Sequence, residues 1–562
     1  MVAEQDEQPW DNMTEEERRY HHICRALLDE ADKDKAKWRE VVRMTFPELL
    51  PPSDLLEVEH KDTDRRRICG RARNNCFKLA GAFQTYIHPM GRKWFKFGSY
   101  TVDSSDKEMA TEDEYQRAGD ILFAEIERSN FHTVVYSAEL DAICTGTGAF
   151  FVGMHPKGRL FLFTHIPAGT FGFGENAEHE PDKFVRRFKY TADQAAQAWG
   201  EDSLTDTMRN AYASDTRRYT DQFEIHHLTL PNPSGNGYAY IGVYMDANTG
   251  ETLYKEGYEQ FPYVVRRFRK YGNQTFGNSP LKGIEDTIKD NLVDKECRKL
   301  MHQRASLPSI ITPADMAGEI DLRPGGKTII YDEYIDRPNA IREFAPVGNW
   351  MIGLDGERKD EEEMDAALHI DFLQVVSSQE RYMSATEVNQ RVSEKVMTLA
   401  ESFTLAQVEY RPMFNRLLAL ALESGMLDEN NLPREMVASY KDSNGVKRQE
   451  VVLPRIVYCG MMAQMLERVQ STAIWDMLAR AKQMGIELQD PRWTVSFDPV
   501  SIVRFEAANS GVPARYMLDY TEVQEQLQQT EAAQAAQQQA MVDAQNAESM
   551  RAQAQAQTLT QQ

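Results

Sequence analysis

The pattern of hydrophobic and polar positions changes along the chain, and each change predicts a different kind of element. Residues 10–45 and 65–88 are typical of helices, whereas 145–265 contains short runs of β-branched and aromatic residues separated by glycine, proline and asparagine. The first half of the chain is therefore predicted to be one mixed α+β domain. Its clearest runs predict strands at 149–152, 160–163, 184–190, 223–230 and 238–244.

Residues 261–306 combine an extended run, a glycine loop and a helix. The run at 261–268 is rich in β-branched and aromatic residues, and Gly272 and Gly277 punctuate the loop after it. Ser279 is suited to cap the following helix, and Pro280 suits its first turn. One packing helix is predicted over 279–306. Its apolar positions recur at helical spacing and are Leu281, Ile284, Ile288, Leu292, Cys297 and Leu300.

A strand-and-turn segment at 307–356 separates this helix from a second one, predicted at 357–376. Short β-like runs at 310–311 and 328–331 suggest a hairpin-like insertion between the two helices. The turn between these runs is Pro324, Gly325 and Gly326. The second helix opens with a cluster of acidic residues: Glu357, Asp360, Glu361, Glu362, Glu363 and Asp365. Acidic residues in a first turn favour the helix dipole, which explains some of this cluster but not all of it.

A mostly polar break at 377–383 follows the second helix, and a long helix follows the break. Ser384 and Glu387 form a capping box at its start, and Gly425 ends the apolar pattern. Pro412 is expected to kink this long helix.

The last hundred residues are less regular. The sequence predicts a strand at 450–458 and a helix at 460–485. Residues 521–562 contain 14 Gln and 10 Ala. This composition fits either a disordered or weakly helical tail, or a helix stabilised only beside its symmetry mates.

The charge balance argues against a protein that grips nucleic acid. The chain has 64 basic and 87 acidic residues, a net charge of −23, whereas binding of phosphates requires positive charge. The six cysteines form no CxxC pair, so we expect reduced, mostly buried thiols rather than a zinc site or disulfides. The acidic N-terminus and the lack of a long apolar stretch argue against secretion and against membrane spanning.

One candidate phosphate-binding motif fails on inspection. Residues 326–328 read Gly-Lys-Thr, but Asp321 stands where a glycine is needed and strand-like residues follow where a helix must begin. We interpret this segment as a turn.

Candidate dinucleotide and metal motifs are also incomplete. Gly146 and Gly148 lack the third glycine of a dinucleotide site, so a tight bend or helix packing is the expected role. His226 and His227 are adjacent, and in a strand they point to opposite faces. No catalytic, cofactor-binding or metal-binding residue is therefore predicted, and no cofactor is expected.

Several blocks of the chain resemble, in the same order, blocks of the head-to-tail connector or portal proteins of short-tailed bacteriophages. The sequence FPYVVRRF at 261–268 and the glycine loop after it resemble the strand and loop that precede the first stem helix of that family. Further similar blocks lie at 91–98, 127–153, 322–329 and 383–391, followed by the Gln/Ala-rich end. The resemblance covers roughly the whole chain.

The resemblance implies an α+β portal fold with a mixed α/β wing, long stem helices, a small β-containing clip, a helical crown and a possible C-terminal helical barrel. The implied domains are the wing (1–278), the first stem helix (279–306), the clip (307–356), the second stem helix (357–376), the tunnel loop (377–383), a long kinked helix with a return to the wing (384–458), the crown (459–512) and a Gln/Ala-rich barrel helix or tail (513–562).

The resemblance also implies a non-enzymatic function. The chain would form a dodecameric ring at one capsid vertex, assembled in the host cytoplasm and retained in the virion. Double-stranded DNA would be packaged and later ejected through the ring. The implied partners are the packaging motor (terminase), tail adaptor proteins, and capsid and scaffolding proteins, with no membrane involved.

Three sets of site residues follow from the family positions. The clip turn Pro324, Gly325 and Gly326 would dock the motor and later the tail adaptor. The acidic candidates for the channel wall are Glu361, Glu362, Glu363 and Asp365, which would let DNA slide without sticking. The tunnel loop that would touch DNA consists of Ser377, Ser378, Gln379, Glu380, Arg381, Tyr382 and Met383.

Two alternatives remain at this stage. A tail hub or adaptor ring belongs to the same structural class, although adaptors are usually much smaller chains. An acidic multidomain hydrolase would need a convergent cluster of carboxylates or histidines, and the sequence places none.

Overall fold

A computed structural model describes most of the N-terminal half of the chain and parts of the remainder. The described residues are 13–50, 68–98, 106–155, 161–232, 237–306, 310–311, 342–343, 350–370, 402–427, 437–441, 447–451, 454–459 and 474–484, together with 502, 503 and 539. The chain divides into two compact units, Met1–Gly98 with Glu114–Met462, and Ser99–Asp113 with Ala463–Gln562. In the second unit the described residues include the start of one helix and a helix at 474–484.

The described residues form a mixed α+β fold, as the sequence predicted. The helices are α1 (Glu15–Thr45), α2 (Gly70–Ile87), α3 (Asp106–Arg128), α4 (Phe131–Thr145), α5 (Ala192–Trp199), α6 (Asp206–Tyr212), α7 (Arg217–Thr220), α8 (Pro280–Gly283), α9 (Glu285–Ser306), α10 (Trp350–Ala367), α11 (402–409), α12 (Arg411–Glu423) and α13 (474–484).

The strands are short, and most of them pair antiparallel with the strand that precedes or follows them in the chain. They are β1 (Phe95–Gly98), β2 (Thr147–Met154), β3 (Phe161–Ile166), β4 (Phe171–Glu175), β5 (Pro181–Thr191), β6 (Gln222–Pro231), β7 (Tyr240–Asp246), β8 (Thr252–Tyr258), β9 (Tyr263–Arg267), β10 (Ile310–Ile311), β11 (Arg342–Glu343), β12 (Val437–Lys441), β13 (Lys447–Val451) and β14 (Arg455–Tyr458). All the strands predicted between residues 149 and 268 are confirmed.

Two antiparallel sheets and helix α1 build the core of the N-terminal half. One sheet has the order β4-β5-β6-β7-β8 and the other has the order β3-β2-β9. Alternation along each strand sends side chains to both faces of the larger sheet. One face packs against α1, where Leu28 meets Val185 and Leu228. The other face packs against the smaller sheet, where Phe184 stacks on Tyr263 with ring centroids 3.9 Å apart.

Helix α1 is defined by a capping box at its start. The Thr14 side chain accepts a hydrogen bond from the Glu17 backbone N–H, and the Glu17 carboxylate accepts one from the Thr14 backbone N–H. Tyr20, Cys24 and Leu28 then recur at helical spacing and are buried. This apolar stripe holds α1 on the larger sheet.

The candidate dinucleotide and metal motifs have structural roles. Gly146 ends α4 in the left-handed conformation, with φ of 98°, and Gly148 passes so close to the carbonyl of Ala138 that a Cβ atom would overlap it. His227 is fully buried, whereas His226 on the opposite face is only partly buried and lies 3.7 Å from Glu224. The expected bend and the expected opposite orientation are both confirmed.

A late segment returns to the N-terminal half of the chain. Strand β14 pairs antiparallel with β1, with Phe95 opposite Tyr458. The ring of Phe414 on α12 packs beside this pair. Its centroid lies 4.7 Å from that of the Phe95 ring and 5.7 Å from that of the Trp94 ring. The predicted continuous strand at 450–458 is instead split between β13 and β14, which belong to different sheets and flank Pro454.

Pro412 was expected to kink the long helix, and in the structure a new helix begins just before this residue. Tyr410 separates α11 from α12, and Pro412 lies in the first turn of α12, where its missing N–H is tolerated. Helix α12 ends at Glu423, and Gly425 adopts a positive φ of 70° just beyond it.

The first predicted stem helix differs from expectation in two respects. Ser279 caps α8 as predicted, by accepting a hydrogen bond from the Leu281 N–H. However, Ile284 leaves helical geometry, so α8 and α9 are separate helices rather than one. Cys297 and Leu300 were predicted to be buried, but both are exposed, and Leu300 is 48% exposed. The contacts of α9 with α10 run instead through Asp294, Lys295 and Arg298.

The second predicted stem helix begins earlier than expected. Helix α10 starts at Trp350 rather than at residue 357, and it ends at Ala367 rather than at residue 376. At Gly356, α10 passes so close to α9 that a Cβ atom would lie 2.8 Å from Oδ2 of Asp294. Close packing thus outweighs the low helix propensity of glycine. The acidic cluster is consequently not in the first turn, and the dipole argument does not apply to it.

Candidate functional site

Helices α9 and α10 form an antiparallel pair, and this pair is the candidate functional site. Near one end, the thiol of Cys69 contacts both Asn291 of α9 and Met364 of α10. One turn further along α9, Lys295 lies 3.7 Å from Glu361. Arg298 lies 2.6 Å from Glu357. The residue numbers of the contacting residues increase along α9 and decrease along α10. The two helices therefore run in opposite directions.

A short antiparallel strand pair joins the beginning and the end of the segment between these helices. Ile310 lies opposite Glu343 and Ile311 lies opposite Arg342 in the antiparallel ladder of β10 and β11. The docking candidates Pro324, Gly325 and Gly326 lie outside the described residues.

Two of the four acidic candidates are held within the chain. Asp365 is buried and accepts hydrogen bonds from Nε of Arg71 at 2.8 Å and from Nδ2 of Asn75 at 2.7 Å. Burial by itself would raise the pKa of this carboxyl, but the two donors outweigh it and lower the pKa. Glu361 is partly buried between Lys295 and Arg71, at 3.7 and 4.0 Å. These two carboxylates therefore bind α10 to its neighbours.

The other two acidic candidates face solvent. Glu362 and Glu363 are both exposed. Glu362 has one cationic neighbour on its own helix, Arg358, at 3.2 Å, and both side chains of this pair are mostly exposed. Such an exposed pair contributes little and leaves the local potential available to solvent.

Further carboxylates concentrate negative charge beside Glu363, and sequence reasoning did not single them out as a set. Burial raises the pKa of Asp360, and the negative charges of Asp294, Asp290 and Glu363 raise it further. Asp290 and Asp294 are one turn apart on α9, and this spacing was the available clue. Their proximity to α10 depends on the helix pairing, which the sequence did not reveal.

The tunnel-loop candidates, from Ser377 to Met383, lie outside the described residues. Among the residues that the structure describes, no group of three or more His, Cys, Asp or Glu side chains could hold a metal ion. None of the described helices is both long enough and apolar enough to cross a membrane.

Comparison with known proteins places the chain in a family. A family model described as bacteriophage head to tail connecting protein matches residues 18–518. A portal protein of Salmonella phage epsilon15 is 21% identical over 368 residues, which cover 62% of this chain and 65% of that protein. A probable portal protein of Bordetella phage BPP-1 is 22% identical over 428 residues, which cover 72% of this chain and 74% of that protein.

Among solved structures, a chain from the virion of the native gene transfer agent (GTA) particle aligns at 9% identity with a TM-score of 0.33, covering 66% of this chain and 82% of that one. The family match extends over most of the 562 residues. It names the same family that the sequence blocks described above resemble. This chain therefore belongs to the bacteriophage head to tail connecting protein family.

Proposed function

We propose that this chain is a portal protein, the subunit of a ring at one capsid vertex through which DNA is packaged and ejected. The observation that carries the proposal is the family match over residues 18–518, and the two relatives described as portal proteins support it. The ring would be a dodecamer, present in the virion and assembled in the host cytoplasm. Its function would be structural rather than enzymatic.

The paired helices α9 and α10 would form the stem in this proposal. The segment between them would be the clip, placed at one tip of the subunit, where the packaging motor and later the tail adaptor would dock. Deleting the clip should leave rings intact and abolish motor binding. Motor binding that survives the deletion would place the docking surface elsewhere.

The loop at 377–383 would project into the channel and touch DNA loosely, with Arg381 as its cation and Tyr382 as an amphipathic contact. Deleting these residues should permit assembly but impair retention of packaged DNA. Normal DNA-filled particles from the deletion would contradict this role.

The exposed carboxylates of α10 would contribute to an acidic channel wall. In a ring, Glu362 and Glu363 would be repeated around the axis, and the repeated charge would repel phosphates over about 8 Å at physiological salt. DNA would then slide with little adhesion. The paired carboxylates of Glu361 and Asp365 would instead hold the stem to α2 and α9, as their contacts suggest.

A phage that lacks this gene tests the proposed function. Its capsids should contain no packaged DNA and carry no tails, and the chain supplied in trans should restore both. DNA-filled, tailed particles assembled without the chain would contradict the proposal.

A further inference from the structure

Buried charges form a network where strand β9 meets α4 and α11. Arg266 is fully buried, and its Nε donates to both carboxylate oxygens of Glu139 on α4, at 3.0 and 3.2 Å. Arg267, the next residue of β9, donates its backbone N–H and its Nε to the carboxylate of Glu409 on α11, at 2.8 and 2.6 Å. The guanidinium of Arg267 also contacts Glu175 at the end of β4.

Both ends of the described part of α11 join this network. At Ser402, the carbonyl oxygen accepts a hydrogen bond from Nη2 of Arg266 at 3.4 Å. At its end, Glu409 accepts from Nη1 of the same arginine at 3.3 Å. The following residue, Tyr410, donates its hydroxyl to Glu139 at 2.6 Å. The helix is therefore tied to β9 and α4 through several directional contacts.

The contacts are better suited to fixing a position than to adding stability. Removing charges from water is costly, so a buried ion pair contributes little net free energy, but leaving one partner unpaired is strongly unfavourable. An apolar helix contact can shift along a strand and still bury the same area. A shift of α11 would instead leave the buried Glu409 without its partners. Each buried arginine would lose one of its two carboxylate partners, while Arg266 kept Glu139 and Arg267 kept Glu175.

We propose that Glu409 is a positioning residue that fixes the register of α11 on β9. Helix α11 is the first described helix after the predicted tunnel loop at 377–383. Glu409 thereby sets how the chain leaving that loop is anchored to the wing. This last consequence rests on the proposed function, whereas the register of α11 does not.

Hydrogen–deuterium exchange of the full-length protein, with Glu409→Gln, tests the register. The substitution preserves side-chain shape but removes the charge that both arginines share. Amides of 403–409 should exchange at least about tenfold faster, while amides of β5 and β6 keep their wild-type rates. Wild-type rates in 403–409, or an equal rise across β5 and β6, would overturn the proposal.

Two further variants make the result specific. Glu423→Gln removes an exposed carboxylate at the end of α12 and should leave every rate unchanged. Arg267→Lys keeps the positive charge but loses the Nε donor to Glu409, so it should accelerate the same segment by a smaller factor. If Glu409→Gln does not fold, the Arg267→Lys result decides: acceleration confined to 403–409 supports the register, and its absence overturns it.

The proposed effect of Glu409 on the channel is tested by a separate measurement, the yield of DNA-filled particles. Rings of Glu409→Gln should assemble, yet the yield of DNA-filled particles should fall by about tenfold, because α11 no longer holds the channel segment in place. Wild-type filling together with accelerated exchange would keep the register and overturn the link to the channel. Failure of the wild-type chain to form rings would contradict the proposed function and leave the exchange result for α11 intact.

Discussion

Gly146 and Gly277 meet backbone to backbone, and a Cβ atom on either residue would overlap the carbonyl group of the other. Gly146 lies at the turn between α4 and β2, and Gly277 lies in the loop that leads to α8. Next to this contact, the Gly277 N–H donates a hydrogen bond of 2.8 Å to the Thr147 hydroxyl. This contact fixes the start of the α8–α9 region against the smaller sheet.

We predict that Gly277→Ala destabilises the protein by at least about 2 kcal/mol, because backbone atoms on the other side of the contact cannot move away as a side chain could. Chemical unfolding measures the change. Gly283→Ala is the matched control, since a Cβ there would meet nothing within 4 Å and alanine favours the helix. Equal stabilities of the two variants would show that the crossing is not tight.

Asp365→Asn should destabilise the folded chain by about 1 kcal/mol at neutral pH, because Arg71 loses a charged partner but remains partly exposed. The pKa of Asp365 is lowered in the folded protein, so its contribution is present above its ordinary pKa of about 3.9 and is lost as pH falls below it. Thermal unfolding across pH should therefore show the two proteins converging in acid. Glu362→Gln, an exposed change on the same helix, should have little effect at any pH.

His88 should make the protein less stable in mild acid. Its ring is fully buried against Trp94 and Tyr410, and neither ring nitrogen has a hydrogen-bond partner among the residues that the structure describes. Burial lowers the pKa of His88 well below its usual value, so the unfolded chain takes up a proton below about pH 6.5 while the folded chain stays neutral. Stability should therefore fall as pH drops below that value.

His88→Phe should reduce this pH dependence by up to about 1.4 kcal/mol per pH unit, without loss of stability at pH 7.5. Unfolding by urea at several pH values measures the slope. His227 is also buried, but its Nδ1 lies 2.5 Å from the Tyr263 hydroxyl, so His227→Phe should lower stability at pH 7.5, where His88→Phe does not. An unchanged slope for His88→Phe would contradict the assignment.

Replacing Glu362 and Glu363 with lysine should preserve assembly but make the assembled protein bind DNA in a salt-sensitive way. The reason is that these two acidic candidates are exposed, whereas Glu361 and Asp365 are paired within the chain. DNA affinity at low and high salt measures the effect, with the double glutamine variant as the control for lost negative charge alone. Wild-type affinity at all salt concentrations would remove these residues from the channel wall.

Local patterns were predictable, and long-range contacts were not. Strands such as β5 and β6 follow from their own residues, and the end of α12 follows from Gly425. The close contact of Gly356 with α9 could not be foreseen, because it depends on Asp294, far away in sequence. Likewise, Glu139 and Glu409 look like ordinary helix residues until both are placed beside Arg266.

Electron microscopy of the purified full-length protein is the most direct test of the portal proposal. A portal subunit should form closed rings with a central hole, because a heterologous interface that closes on itself produces cyclic symmetry. A stable monomer at micromolar concentration, with no rings at any salt concentration, would contradict it.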